Sequence, residues 1–281
     1  MTALRCLAPG KVNLSLYVGA PRADGLHPLV SVVQSVSLAD ELTLEPAPAG
    51  ATGDEVVCPG VEGPNLAARA LAAFRKATGW DAPPQRLTIH KRVPVAAGMG
   101  GGSGDAAAAL RLAAHAAGGA ERGLLLEIAA GLGGDVPSQV EPGRTLMTGA
   151  GEHVRPLPSG TGLGLVIVPS SHTLSTPDVY RAFDGLGAAR GEEELARLEA
   201  LGGALPAHND LQAAARRLCP AIDGALAAVA ASGADHALVS GSGPTVFGLY
   251  AGVEQARAAA RRAGGVAAEP VEPAYGEVRA A

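Results

Sequence analysis

Apolar and polar positions alternate from Val12 to Val18 (Val12-Asn13-Leu14-Ser15-Leu16-Tyr17-Val18), the period of a half-buried strand. A turn at Arg22-Ala23-Asp24-Gly25 follows, then a Val-rich strand pattern from Leu29 to Leu38 and a further strand over Glu41–Leu44. Residues 46–64 are rich in Pro, Gly and Ala and read as a loop with room for one short strand. Leu66, Ala70 and Phe74 fall four apart, which predicts an amphipathic helix over 65–77 with Asn65 as N-cap and Gly79 as stop. Leu87–Lys91 reads as a strand and Val93–Gly104 as a loop. Asp105–Ala117 is an Ala-rich helix ended by Gly118-Gly119.

Residues 155–162 carry Pro, Gly and Ser and mark the best boundary in the chain. Beyond it the pattern predicts a strand over Leu163–Val168 and helices over 192–201, 210–218 and 221–231. A strand over 236–240 and a helix over 253–263 complete the second half. Mixed strands and helices give an α+β architecture in two parts, 1–157 and 158–281.

Composition narrows the class. With 47% hydrophobic and 17% charged residues the chain can build a proper core, and with only 3% aromatics that core must be Ala, Leu and Val. The net charge of −5, the absence of a basic run and the scarcity of stacking side chains argue against a nucleic-acid partner. Attraction for an anionic substrate must therefore be local. Cys6, Cys58 and Cys219 are far apart and form no CxxC pair, so neither disulfides nor a cysteine metal site is expected, and the reading is a reducing cytoplasm. The start lacks the long apolar core of a signal peptide, and no apolar run is long enough for a membrane span.

The most informative segment is Pro94-Val95-Ala96-Ala97-Gly98-Met99-Gly100-Gly101-Gly102-Ser103-Gly104, a glycine loop that runs straight into a helix. Without side chains the backbone can approach a ligand closely, and successive N–H groups at a helix start favour phosphate. The dinucleotide pattern G-x-G-x-x-G fails here, as do the Walker pattern and the serine-hydrolase pattern G-x-S-x-G. A plain strand-to-helix turn needs fewer glycines than this segment holds. Three further segments are candidates for chemistry. Lys11 stands beside Asn13 at the first strand, Asp135 lies in the turn Gly133-Gly134-Asp135-Val136-Pro137, and Ser240-Gly241-Ser242-Gly243-Pro244-Thr245 is a small-residue loop between apolar strands. Taken singly, a lone lysine is usually solvated and an Asp in a turn is usually a local cap.

Together these segments, in this order, resemble the GHMP kinases: P-x-K-x-N near the start, a glycine–serine loop leading into a helix, and a late S-G-S-G-P-T. Arg22–His27, Gly133–Pro137, Gly149–Glu152 and Ser175–Tyr180 point to a branch acting on a cytidyl substrate, with Pro64-Asn65-Leu66 and Asn209-Asp210-Leu211 in the same pattern. The resemblance covers roughly residues 5–248. It implies a two-domain fold, ribosomal-protein-like then ferredoxin-like, with the active site in the interdomain cleft. It implies ATP-dependent phosphorylation of a hydroxyl on a small cytidyl metabolite of isoprenoid precursor synthesis. ATP phosphates would rest on Pro94–Gly104. Asp135 would accept the hydroxyl proton, with Lys11 beside it screening charge. Mg²⁺ would bridge the phosphates near Ser103. Asn13, His27, Thr176 and Tyr180 would hold the substrate, His27 reading the cytosine and Tyr180 stacking on it. Neither nucleic acid nor membrane is an implied partner, and the chain would act as monomer or homodimer. Two positions depart from the pattern: Leu26 stands where a tyrosine usually precedes the histidine, and Gly104 where the loop tends to end Ser-Ser.

Overall fold

The computed structural model describes residues 2–160 and 162–281; Met1, at the chain start, and Thr161, in the expected linker, lie outside the described residues. The first part runs β1 (Leu4–Val18), β2 (Leu29–Pro46), β3 (Glu55–Val57), α1 (Leu66–Thr78), β4 (Gln85–His90), α2 (Gly101–Ala116), α3 (Arg122–Leu132), α4 (Pro137–Val140), β5 (Arg144–Thr148) and β6 (His153–Pro156). The second runs β7 (Gly164–Val168), α5 (Thr176–Asp184), α6 (Glu192–Leu201), β8 (His208–Asn209), α7 (Gln212–Leu218), α8 (Ala221–Ala231), β9 (His236–Val239), β10 (Val246–Tyr250), α9 (Val253–Ala263), β11 (Val266–Ala268) and β12 (Arg279–Ala280).

The first sheet has the order β12-β1-β2-β4-β3, with β5 and β6 continuing from β2 and β8 pairing with β1. The second is antiparallel, β11-β7-β10-β9. The chain passes from one sheet to the other between β6 and β7, yet β8 and β12 return to the first sheet. Core residues Val12, Leu14, Met99, Ile167 and Phe247 form one cluster that joins the two halves.

Several local expectations are met. Asn65 caps α1 by accepting from the Ala67 N–H at 2.8 Å, and Gly79 ends it in the left-handed conformation. Alanines 106–109 and 113 are fully buried, so α2 packs closely against its neighbours without aromatic bulk. Other expectations need correction. The strands expected over 29–38 and 41–44 are one strand, β2, because Ser37 and Leu38 bulge out where Pro9 pairs with Ala39 and Gly10 with Val36. β1 is longer than its alternating stretch and is buried on both faces from Ala8 to Val18, where neighbouring elements cover it on either side. α3, α4, β5, β6 and α5 have no counterpart in the pattern reading.

Candidate active site

Two bulges flank residues 10–13 of β1, one at Pro9/Gly10 and one at Asn13/Ser15. Between them Lys11 and Asn13 project to one face while Val12 and Leu14 enter the core. Lys11 is only 3% exposed, where a lone lysine is ordinarily solvated. Its ammonium donates to Asn13 Oδ1 at 2.8 Å and lies 3.2 Å from Asp135 Oδ2. Asn13 in turn donates to Ser31 Oγ, which donates to the Ser15 carbonyl at 2.6 Å. This chain fixes the amide orientation, so that the oxygen faces the lysine.

Asp135 sits in the turn between α3 and α4. A side chain at Gly134 would stand 2.6 Å from the Ala150 carbonyl oxygen, so the turn packs directly against the Gly149–Gly151 turn. That contact needs glycine on both sides and holds the carboxylate at the mouth, 37% exposed.

The glycine loop is part loop and part helix. α2 begins at Gly101, not at Asp105, so Gly101–Gly104 form its first turn despite the poor helix propensity of glycine. Gly100 precedes it with φ 64° and no side-chain cap, which leaves the first amides of the helix without side-chain acceptors. A Cβ at Gly100 would meet the Lys11 side chain at 3.0 Å, so loop and lysine are in contact. The Ser240–Thr245 segment braces the loop from the second half. Ser240 Oγ donates to the Gly98 carbonyl at 2.9 Å, and the Thr245 N–H to the Ala97 carbonyl at 3.3 Å.

A cleft of about 480 Å³ is lined by Lys11, Asn13, Asp135, Thr176, Tyr180 and Gly241–Gly243, together with Pro94–Gly98 and Gly100–Ser103. Met99 and Gly104 of the expected loop face away from it. Met99 is buried in the core and its carbonyl accepts the Lys11 N–H, while Gly104 packs on the Pro9 carbonyl. Thr176 and Ser242 hydroxyls are hydrogen-bonded at 2.9 Å across the second half. Tyr180 is packed with its phenol pushed up by burial and by the Asp135 charge. His27 lies behind Tyr180, not on the cleft wall. Its ring is 4.9 Å from the Tyr180 ring, its Nδ1–H donates to the Gly19 carbonyl at 2.8 Å, and Nε2 faces Asp184 at 3.6 Å.

Residues not anticipated as functional line the same cleft: Cys58, Val61, Pro64, Leu66, Lys91 and Asp105. The first four give one end an apolar wall with Val95. Lys91 bonds Asp40 at 2.5 Å and Asp105 at 2.7 Å, and Asp40 also accepts from the Arg92 and Val93 amides. A side chain at Gly101 would stand 3.2 Å from the Lys91 ammonium, so this cation lies against the first turn of α2. Burial works against the Lys91 charge, but Asp105 and Asp40 outweigh it and hold its pKa above the ordinary lysine value. Burial pushes the Asp105 carboxyl up to about 7; Lys91 opposes this and the Asp40 charge adds to it. Among the described residues Asp105 Oδ1 has no hydrogen-bond partner.

Between the ordinary aspartate value of about 4 and about 7, the native state keeps a proton that the unfolded chain releases, so Asp105 lowers stability progressively as pH rises through that window. Asp105→Asn removes this dependence. Melting temperatures of both proteins across pH 4–8 should diverge with rising pH, the variant gaining relative to the parent. A constant difference contradicts the assignment.

The comparisons with known proteins identify the family. The family model described as GHMP kinases N terminal domain matches residues 65–143, and that described as GHMP kinases C terminal matches 188–266. A 4-diphosphocytidyl-2-C-methyl-D-erythritol kinase of Streptomyces coelicolor is 45% identical over 84% of this chain and 84% of its own. The protein of that name from a Nocardioides species is 40% identical over 98% and 97%. A crystal structure of 4-(cytidine 5'-diphospho)-2C-methyl-D-erythritol kinase superposes with a TM-score of 0.75 at 33% identity, covering 98% of this chain and 97% of that one. The chain belongs to the GHMP kinases and, within them, to the 4-diphosphocytidyl-2-C-methyl-D-erythritol kinases.

Proposed function

We propose that this kinase transfers the γ-phosphoryl group of ATP to the tertiary 2-hydroxyl of 4-diphosphocytidyl-2-C-methyl-D-erythritol, releasing ADP and the 2-phosphate for isoprenoid precursor synthesis. The observation that carries the reading is the meeting of Lys11, Asp135 and an uncapped glycine-rich helix start in one cleft. The amides of the loop and the start of α2 receive the phosphates. The apolar end formed by Cys58, Val61, Leu66 and Val95 receives the adenine.

Asp135 accepts the proton of the attacking hydroxyl while the new O–P bond forms and the bond to the β-phosphate oxygen breaks. Lys11 holds the carboxylate in place and offsets charge as it spreads over the transferring group. Positioning carries much of the rate, because the loose transition state asks little covalent chemistry of the protein. Tyr180, backed by His27, together with Asn13 and Thr176, holds the cytidyl end. Leu26, 53% exposed, adds no second aromatic wall, so stacking falls on Tyr180.

Among the described residues no cluster of three or more His, Cys, Asp or Glu side chains is placed to hold a metal. Mg²⁺ needs no such cage when phosphates supply most of its ligands, and the Ser103 hydroxyl and Asp135 carboxylate are oxygen donors of the right kind in the same cleft. Bound there, the ion would neutralise phosphate charge. No helix among the described residues is long and apolar enough to cross a membrane. A cytoplasmic enzyme acting without nucleic acid, as monomer or homodimer, fits this reading.

The test is acceptor choice. With ATP in excess, kcat/KM for the cytidyl alcohol should exceed that for homoserine or mevalonate by more than about 10²-fold, because polar groups built for the cytidyl end are left unpaired by the smaller alcohols. Equal use of either competitor contradicts the proposal.

A further inference from the structure

Arg111 stands about 15 Å along α2 from Gly101, too far to touch a nucleotide on the loop. In a helix of alanines it has the look of a surface residue, yet it is only partly exposed and its four acceptors are all backbone carbonyls. Nη2 donates to Leu7 at 2.8 Å, Nη1 to Gln139 at 2.6 Å and Val140 at 3.4 Å, and Nε to Gly276 at 3.0 Å. The acceptors belong to three parts of the site's scaffold. Leu7 lies on β1 just ahead of Lys11. Gln139 and Val140 end α4, the short helix that begins two residues after Asp135, and their carbonyls have no continuing helix to bond. Gly276 lies in the C-terminal tail, where an added Cβ would meet Arg111 Nη2 at 3.1 Å.

A second tie runs parallel to the first. Gln139 Nε2 donates to the Pro9 carbonyl at 3.3 Å, and its Oε1 accepts from Ser35 Oγ at 3.0 Å. The Asp135 segment is thus sewn to β1 at Leu7 and at Pro9, on the approach to Lys11, through groups that reach neither substrate nor phosphate.

We infer that Arg111 and Gln139 are positioning residues that fix the separation between Lys11 and Asp135, with the C-terminal tail completing the tie at Gly276. A cation with only carbonyl acceptors is an expensive choice where an apolar side chain would pack, and it is explained if the geometry it enforces matters. Loosening it lets the Asp135 turn drift from β1, while the phosphate loop, held separately by Ser240 and Thr245, keeps its shape.

The inference rests on the reading of Lys11 and Asp135 as the reacting pair, so its test runs beside Asp135→Asn. Turnover and ATP binding are measured for the full chain carrying Arg111→Lys, Arg111→Met or Gln139→Leu, below the melting range of each. The expected result is a kcat lowered by about 10- to 100-fold in Arg111→Met, with partial rescue by lysine, a smaller fall in Gln139→Leu, and ATP affinity within about threefold of the parent. Should Arg111→Met not fold, Gln139→Leu carries the test, since it uncovers no buried charge. Lower melting temperatures with kcat within about twofold of the parent, or kcat and ATP affinity falling together, overturn the inference. If Asp135→Asn retains turnover, the reacting-pair reading fails and this inference with it. If Asp135→Asn is inactive while the Arg111 and Gln139 variants are fully active, this inference alone fails.

Discussion

Asp135→Asn lowers turnover by about 10²- to 10⁴-fold and leaves ATP affinity within about threefold of the parent. The substitution keeps the shape of the side chain and its place in the turn braced by Gly134 and Ala150, so the cleft stays formed. What is lost is the acceptor for the hydroxyl proton and the charge that faces Lys11 at 3.2 Å. Asparagine cannot take a proton at neutral pH, and its neutral amide leaves the buried ammonium without the negative charge that faced it. The phosphate amides lie on α2 and the loop before it, outside this change, which is why binding and turnover should separate. Lys11→Met is a poorer probe of chemistry, because it also strips Asn13 of its donor and disturbs a chain that reaches Ser31 and Ser15. Turnover measured beside calorimetric ATP binding decides the matter. A variant with near-parental kcat refutes the proton-acceptor role.

Gly98→Ala is expected to raise the KM for ATP by about 10- to 100-fold and to lower the melting temperature. Gly98 has φ 75°, a conformation that disfavours any other residue. A Cβ there would run into the Ser240 carbonyl oxygen and stand 2.9 Å from that of Gly243. These are backbone atoms of the bracing loop and cannot rotate away, so the two loops must part. Parting breaks the bonds from Ser240 Oγ to Gly98 and from the Thr245 amide to Ala97, and the phosphate amides lose their support from the second half. Gly102→Ala is the control for stability. Its Cβ meets nothing within 4 Å, and in a helical turn alanine is the better residue. Its melting temperature should not fall. Parental ATP affinity in Gly98→Ala would mean that the loop does not hold the phosphates in the form described.

Much of this site could be read from the chain because its parts are local. The glycine loop is contiguous, the Asp135 turn is contiguous, and the P-x-K-x-N and S-G-S-G-P-T segments each carry their own pattern. Asn65 and Gly79 announced α1 for the same reason, since caps act within a few residues. What stayed hidden depends on residues far apart in sequence. Lys91 meets Asp40 and Asp105 only because β2, β4 and α2 come together, and no spacing rule links those positions. Arg111 looks like a solubilising residue until Leu7 and Gly276 are folded onto it. The helical start at Gly101 was obscured by propensity, because three glycines open the helix, two of them, Gly101 and Gly104, packed against Val93 and Pro9. The burial of Lys11 was not signalled either, since alternation describes which face a side chain takes and not whether that face meets water.

The central claim is that one cleft presents ATP phosphates on the α2 amides and an alcohol to Asp135 beside Lys11. A crystal structure of the ternary complex with a non-hydrolysable ATP analogue and 4-diphosphocytidyl-2-C-methyl-D-erythritol tests it most directly. The predicted result is the tertiary hydroxyl at about 2.6–3.2 Å from the Asp135 carboxylate, with the phosphates on the amides around Gly100–Gly102. A substrate hydroxyl out of reach of Asp135, or phosphates seated away from that loop, would contradict it.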